Sequence, residues 1–154
     1  MTKNNQYIYH QVPNEMSGDK LYPLFQLKNV NLNLYENEIK KYDDHPQRKT
    51  LPWKKINPLD CVRGDVLHCS SIHPHLVYQT FRSIFSSFEK SVLFYRIPIS
   101  KIQKNTAALF DMNRPDYEFG KEDPDSVFDP IDPVTYKEII VVPPEVKQFY
   151  QDWK

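Results

Sequence analysis

Proline is the residue that most restricts the folding of this chain, because 13 prolines occur against only 3 glycines. Proline fixes its own φ and has no N–H to donate, so it tends to end strands and helices. Pro13 ends a first predicted strand, "YIYHQV", and Pro74 suits the first turn of a helix. The shortage of glycine excludes a glycine-rich phosphate loop of the GxGxxG or Walker type. A bound nucleotide would therefore need another kind of site.

Size and composition predict one folded domain over residues 1–154. A hydrophobic share of 40% and an aromatic share of 14% are typical of a chain with a core. Lysine plus arginine equals aspartate plus glutamate, at 20 each, so no overall field attracts nucleic acid. No apolar run approaches the length of a membrane span, and the N-terminus lacks the pattern of a signal peptide. We therefore expect no membrane association, and a protein that is cytoplasmic or secreted without a classical signal peptide.

The hydrophobic pattern predicts an α+β fold in which strands outnumber long helices. The predicted strands cover residues 7–12, 65–71, 91–99 and 135–142. The predicted helices cover 23–30, 34–42, 73–88 and 143–153, and the last is expected to dock through Val146, Phe149, Tyr150 and Trp153. The segment 135–142, "TYKEIIVV", carries apolar residues on both faces, as a central strand does. Residues 43–60 and 111–135 are predicted to be long loops.

Two polar residues fall on apolar faces of predicted strands. Glu138 shares its face with apolar residues of "TYKEIIVV", where a carboxylate is costly unless it is paired or borders a cleft. It could equally be an edge residue bound to a lysine. His10 lies on the more aliphatic face of the first strand, where it is either a functional group or a core histidine that bonds to the backbone. Both residues are therefore candidates for a site.

Metal binding is not predicted from this sequence. His68, His73 and His75 are close together, but they flank Pro74 without the HxxxH spacing that places two ligands on one helix face. The cysteines, Cys61 and Cys69, have no CxxC spacing. The acidic segment 111–135 also lacks the ligand order of an EF-hand loop. We expect neither a metal site nor a disulfide framework.

The order of short motifs along the chain carries a resemblance to a known family. A first strand ending in "YH" is followed by the polar turn and helix "DVLHCSSIHPHLVY", the strand "VLFYRIPISKI", the segment "ALFDMNRPDYEFG" and a late "YKEIIVVPP" with an embedded glutamate. This order resembles the mono-ADP-ribosyltransferase fold. It is most similar to the DarT-like branch of that fold, bacterial toxins that modify DNA.

The resemblance implies small, split antiparallel or mixed sheets flanked by short helices, with NAD bound as a substrate between the sheets. It implies transfer of ADP-ribose to a nucleic-acid or protein acceptor. Glu138 would be the catalytic residue, stabilising the positive charge that develops on the ribose as nicotinamide leaves. His10 would hydrogen-bond the nicotinamide end of NAD and share one cleft with Glu138. The residues implied to bind the cofactor are His10, Tyr22, Arg63, His68 and Tyr95, with Tyr22 or Tyr95 stacking on nicotinamide.

Two other functions stay open at this point. One is a catalytically inactive transferase-like fold that acts as an interaction module through the segments 43–60 and 111–135. The other is an RNA 2′-phosphotransferase or nuclease-like enzyme that uses His10, His68 and Arg96 on phosphate, which the neutral net charge disfavours. The sequence leaves the acceptor and the oligomeric state open.

Overall fold

The computed structural model describes residues 4–16, 18–87, 89–111, 114–118 and 121–152 of the chain. It is a small mixed α/β protein with short antiparallel sheets and few helices. The described strands are β1 (Tyr7–Gln11), β2 (Lys55–Ile56), β3 (Cys61–Val62), β4 (Phe94–Pro98), β5 (Ala108–Phe110) and β6 (Phe128–Pro130). The described α-helices are α1 (Leu24–Val30), α2 (Leu32–Ile39), α3 (Pro46–Lys49), α4 (Pro74–Ile84) and α5 (Pro144–Asp152). Six short 3₁₀ turns cover Lys40–Asp44, Leu51–Trp53, Asn57–Leu59, Arg63–Asp65, Ile99–Lys101 and Asp125–Val127.

The chain forms two compact units, and each is built from segments that are distant in sequence. The first unit combines Met1–Val12, His68–Lys104 and Asp132–Lys154. The second combines Pro13–Leu67 and Asn105–Ile131. The prediction of one domain over residues 1–154 stays a prediction.

The first unit is organised around the antiparallel pair β1–β4, in which Tyr9 lies opposite Arg96 and His10 opposite Tyr95. Ile99, which follows β4, is fully buried. Helix α4 begins at Pro74, as predicted, because proline lacks the N–H that the first turn leaves unpaired. The ring of Tyr150 in α5 packs edge-on against a phenylalanine of α4, with 4.9 Å between centroids. That contact agrees with the predicted docking of α5, whereas Trp153 and the side chain of Phe149 lie outside the described part.

The second unit holds a compact apolar core and a buried ion pair. Ile56, Val127 and Phe128 form the centre of the core, between the pairs β2–β3 and β5–β6. Asp123, whose side chain is 1% exposed, accepts a hydrogen bond of 2.7 Å from Arg63. The Nζ atom of Lys54 lies 3.7 Å from the other carboxylate oxygen, which is too long for a hydrogen bond but close enough for attraction. Asp123 therefore connects its own loop to the segment around Arg63.

The predicted strand over 135–142 is wrong. Only Ile139 forms an isolated bridge there, to Ile72. The backbone turns just before it, because the N–H groups of Thr135 and Tyr136 both donate to the carbonyl of Asp132. Two apolar residues of the segment are strongly exposed, at 81% for Ile140 and 72% for Val141, whereas Tyr136 is buried.

The predicted strand over 65–71 is also wrong, because only Ser70 makes a bridge, to Tyr9. The hydroxyl of Ser70 accepts a hydrogen bond from the N–H of Ile72 and donates one to the carbonyl of the same residue. These bonds bend the chain after the single bridge to Tyr9. The predicted loop 111–135 contains β6, which pairs with β5. The predicted loop 43–60 contains α3, β2 and 3₁₀ turns. Each of these elements is only two to five residues long, too short for a periodic signal.

Within the described ranges, none of the helices has both the length and the apolar character needed to cross a membrane.

Candidate functional site

Glu138 is held against β1 by both oxygens of its carboxylate. The hydroxyl of Tyr9 donates to Oε1 at 2.5 Å, and the backbone N–H of Tyr7 donates to Oε2 at 3.2 Å. The bond from Tyr9 has the short length of a charge-assisted hydrogen bond, and the longer bond from Tyr7 holds the second oxygen. The two donors together fix both the position and the rotation of the carboxylate. In the part of the chain that the structure describes, no lysine, arginine or histidine forms an ion pair with Glu138. The predicted lysine-paired edge residue is therefore not observed.

Side-chain amides near the N-terminus attach the backbone around Glu138 to the first strand. The amide of Asn4 donates to the carbonyls of Pro133 and Tyr136, both at 2.9 Å. Gln6 accepts from the N–H of Glu138 at 2.8 Å. These bonds position Glu138 without a regular strand, since they replace the ladder that the sequence pattern suggested.

The Tyr9 hydroxyl is the closest partner of Glu138, and its chemistry reflects that contact. Burial, the hydrogen bond to Glu138 and the negative charge of Glu138 raise the pKa of Tyr9 to about 12, while Arg96 acts in the opposite direction. Arg96 lies opposite Tyr9 in the sheet, and its guanidinium lies 4.5 Å from the ring centroid of Tyr7. The ring of His73 approaches Tyr9 edge-on at 5.0 Å. Tyr9, the hydrogen-bond partner of Glu138, therefore lies among aromatic and basic side chains.

His10 has a different set of contacts. Its Nδ1 lies 2.9 Å from the carbonyl oxygen of His68, and because a carbonyl can only accept, Nδ1 carries the proton. The Sγ of Cys69 lies 4.0 Å from the same nitrogen. Surrounding protein atoms raise the pKa of the Cys69 thiol by desolvation. A protonated Nδ1 beside a thiol with a raised pKa does not make a Cys–His nucleophile.

His10 and Glu138 belong to two different surroundings along β1. Successive side chains of a strand point to opposite faces, so Tyr9 leaves β1 on one face and His10 on the other. His10 shares its face with Tyr95, its partner across the sheet, which is 38% exposed. Among the described residues no hydrogen bond joins His10 to Glu138. Their sharing one cleft stays a prediction.

The remaining predicted residues divide between the two units. His68 belongs to the first unit, where its carbonyl fixes the ring of His10. Tyr22 belongs to the second unit and lines a cavity there. Arg63 also belongs to the second unit, where it binds Asp123 and lies 4.4 Å from the ring centroid of Phe110. Arg63 therefore has a structural role as the partner of Asp123, whereas a role in NAD binding stays a prediction.

Sequence reasoning did not select Tyr9, Tyr136 or the amides of Asn4 and Gln6. In "YIYHQ" Tyr9 neighbours His10, so strand alternation predicts only that Tyr9 lies on the face opposite His10. The hydroxyl of Tyr136 donates to the carbonyl of Tyr7 at 3.2 Å, and burial raises the pKa of Tyr136. These contacts span about 130 positions of the sequence, so no local pattern indicates them.

The described ranges contain no group of three or more His, Cys, Asp or Glu side chains placed to hold a metal ion. His73, one of the clustered histidines, instead accepts a hydrogen bond from the N–H of His75 at the start of α4. Comparisons with models of protein families, with curated proteins and with solved structures gave no match to this chain.

Proposed function

We propose that the first unit carries the catalytic site of an NAD-dependent ADP-ribosyltransferase, with Glu138 as its essential carboxylate. The reaction breaks the bond between the ribose C1′ and the nicotinamide nitrogen. Nicotinamide leaves with the electron pair, and a nucleophile of a nucleic-acid or protein acceptor bonds to C1′ and loses a proton. The transition state carries positive charge on the ribose, so the enzyme needs a negative group that is already in place.

The observation that supports this proposal is the fixation of Glu138. Two donors on β1 orient its carboxylate, and within the described chain no cation neutralises it through an ion pair. The charge of a carboxylate without a cationic partner can stabilise positive charge on a substrate, whereas the charge of a carboxylate in a salt bridge is largely neutralised by its partner. Preorganised electrostatic stabilisation of this type is typically the largest single contribution to catalysis.

His10 and Tyr95 are the proposed contacts for the nicotinamide end of NAD. The proton on Nδ1 places the lone pair of the neutral ring on Nε2, which then accepts a hydrogen bond from a ribose hydroxyl or an amide. Tyr95 offers an exposed ring on the same face for stacking. His10 leaves β1 on the face opposite Tyr9, whereas Glu138 is bound at the edge of β1 through the N–H of Tyr7. One NAD would have to pass around that edge to contact both residues, so the His10 contact needs a test separate from that of Glu138.

The experiment measures nicotinamide release and ADP-ribose transfer, with DNA, RNA and protein offered as acceptors. Glu138→Gln keeps the size of the side chain and an acceptor for Tyr9, but it removes the charge. We expect a rate lower by a factor of about 10² to 10³, with NAD binding retained. Glu145→Gln, at an exposed position at the start of α5, is the matched control and should behave as wild type. His10→Ala should raise the KM for NAD more than it lowers kcat.

The result that rejects the enzyme is equally clear. Wild-type protein that neither binds NAD nor releases nicotinamide, with all three acceptors present, has no transferase activity. The second candidate is an interaction module, for which the sequence indicated the segments 43–60 and 111–135 as contact surfaces. Exposed apolar residues of the first unit offer a further surface for such a module. Leu93 is 73% exposed beside β4, and Phe94 and Tyr95 within β4 are exposed by more than a third. A run of neighbouring exposed apolar residues is consistent with a contact site for another protein.

A further inference from the structure

The second unit contains a cavity of about 240 Å³ that the proposed transferase reaction does not use. Its apolar part is formed by Leu24 and Leu27 of α1 and Leu34 of α2, and the last two are buried. The side chains of Tyr22 and Tyr42 complete this part. Ligand clefts for drug-sized molecules measure about 300–1,000 Å³, so the volume here suits a smaller molecule with an apolar body.

The charged residues of the cavity wall are mostly paired already. Lys41 binds both carboxylate oxygens of Glu38 at 2.8 Å. Arg48 pairs with Asp44, and its guanidinium lies 5.2 Å from the ring centroid of Tyr42. Each of these two pairs is neutral by itself, so neither offers a net charge to a ligand.

Among the described residues of the cavity wall, one cationic and one anionic side chain have no ion-pair partner. Lys20 and Glu15 both line the cavity from exposed positions, and within the described chain neither forms an ion pair or a side-chain hydrogen bond. They lie in the same short segment, and no pair between them is formed. A wall with one spare positive group, one spare negative group and an apolar floor is complementary to a zwitterion that carries an apolar side chain.

We propose that this cavity binds a small apolar amino acid as a free zwitterion. Lys20 receives the carboxylate, Glu15 receives the ammonium group, and the side chain lies on the leucines of α1 and α2. The site is independent of Glu138 and of NAD.

Isothermal titration calorimetry on the full chain with four probes tests the assignment. L-Phenylalanine carries both charges. 3-Phenylpropanoate lacks the ammonium group, phenethylamine lacks the carboxylate, and glycine lacks the apolar body. We expect phenylalanine to bind at least tenfold more tightly than each of the others. Nuclear magnetic resonance should show the methyl signals of Leu27 and Leu34 shifting with the same Kd.

Two variants separate the charges. Lys20→Gln should weaken phenylalanine binding about tenfold and leave phenethylamine binding unchanged. Glu15→Gln should also weaken phenylalanine binding about tenfold, but it should leave the binding of 3-phenylpropanoate unchanged. Lys55→Gln and Asp19→Asn, exposed positions outside the wall, are the controls and should bind phenylalanine as wild type does.

Three results would overturn the assignment. No heat and no methyl shift at 10 mM phenylalanine, taken as about tenfold above a weak millimolar Kd, would show that the cavity takes no amino acid. Equal binding of phenylalanine and 3-phenylpropanoate would remove the role of Glu15. Equal binding of phenylalanine and phenethylamine would remove the role of Lys20.

Discussion

The hydrogen bond between Tyr9 and Glu138 should make a measurable contribution to stability. Tyr9→Phe removes only the hydroxyl and keeps the ring beside His73. A hydrogen bond to a charged group typically contributes about 1.5–3 kcal/mol. The contact is 2.5 Å long but only partly buried, so we expect the lower part of that range, about 1.5–2 kcal/mol.

A double-mutant cycle isolates this value from the other contacts of Glu138. The free energy of unfolding is measured by urea denaturation for wild type, Tyr9→Phe, Glu138→Ala and the double variant. We expect a coupling energy of about 1.5–2 kcal/mol between the two positions. Tyr95→Phe, an exposed tyrosine on the other face of the sheet, is the control and should be additive with Glu138→Ala.

A coupling energy below about 0.5 kcal/mol would refute the reasoning, because distant, independent sites show values of that size. It would mean that Tyr9 does not fix the carboxylate in solution. The basis for assigning a preorganised charge to Glu138 would then be lost, whatever the activity assay gives.

Two further predictions concern charges in the two units. Because the pKa of Tyr9 rises from 10.0 to about 12 on folding, its contribution is complete below pH 10 and is lost as pH rises towards 12. With solvent screening included, the free energy of unfolding of wild type should fall by about 1–2 kcal/mol more than that of Tyr9→Phe over that pH window. A difference in tyrosinate absorbance between the two proteins already near pH 10 would contradict this. Asp123→Asn leaves Arg63 and Lys54 without their counter-charge and should lower the free energy of unfolding by about 3–5 kcal/mol. Glu122→Gln, the exposed neighbour, should change it by less than about 0.5 kcal/mol in urea denaturation, and equal effects would reject a buried ion pair.

Elements with strong local signals were predictable from the sequence. Helix α4 has a proline at its first position and an apolar stripe, and the structure begins the helix at that proline. The strand "FYRIP" ends at Pro98 as expected. The segment "TYKEIIVV" was not predictable, because apolar residues on both of its faces indicate a strand while the upstream turn at Asp132 and the prolines after Val142 prevent pairing.

The candidate site was predictable only in part, and for a physical reason. Glu138 could be selected from the cost of placing a carboxylate among apolar residues. Its partners could not, since Tyr9 lies 129 positions away and Gln6 lies 132 positions away. The ion pair of Arg63 with Asp123, 60 positions apart, was hidden in the same way. Such contacts depend on tertiary structure, whereas the hydrophobic periodicity of a sequence reports only on residues that are close together in the chain.

The separation between β1 and its partners has a consequence for synthesis in the cell. β1 is translated before its partners, since Pro98 of β4 follows Tyr7 by 91 positions and Glu138 follows Tyr9 by 129. Ribosomes add about 5–20 residues per second, so β1 waits about 6–26 s for Glu138 and about 5–18 s for β4, which pairs with its backbone groups. During that interval its N–H and C=O groups are open to pairing with other nascent chains. Substitutions in Tyr7–Gln11 should therefore reduce the yield of folded protein by more than their effect on the free energy of unfolding accounts for.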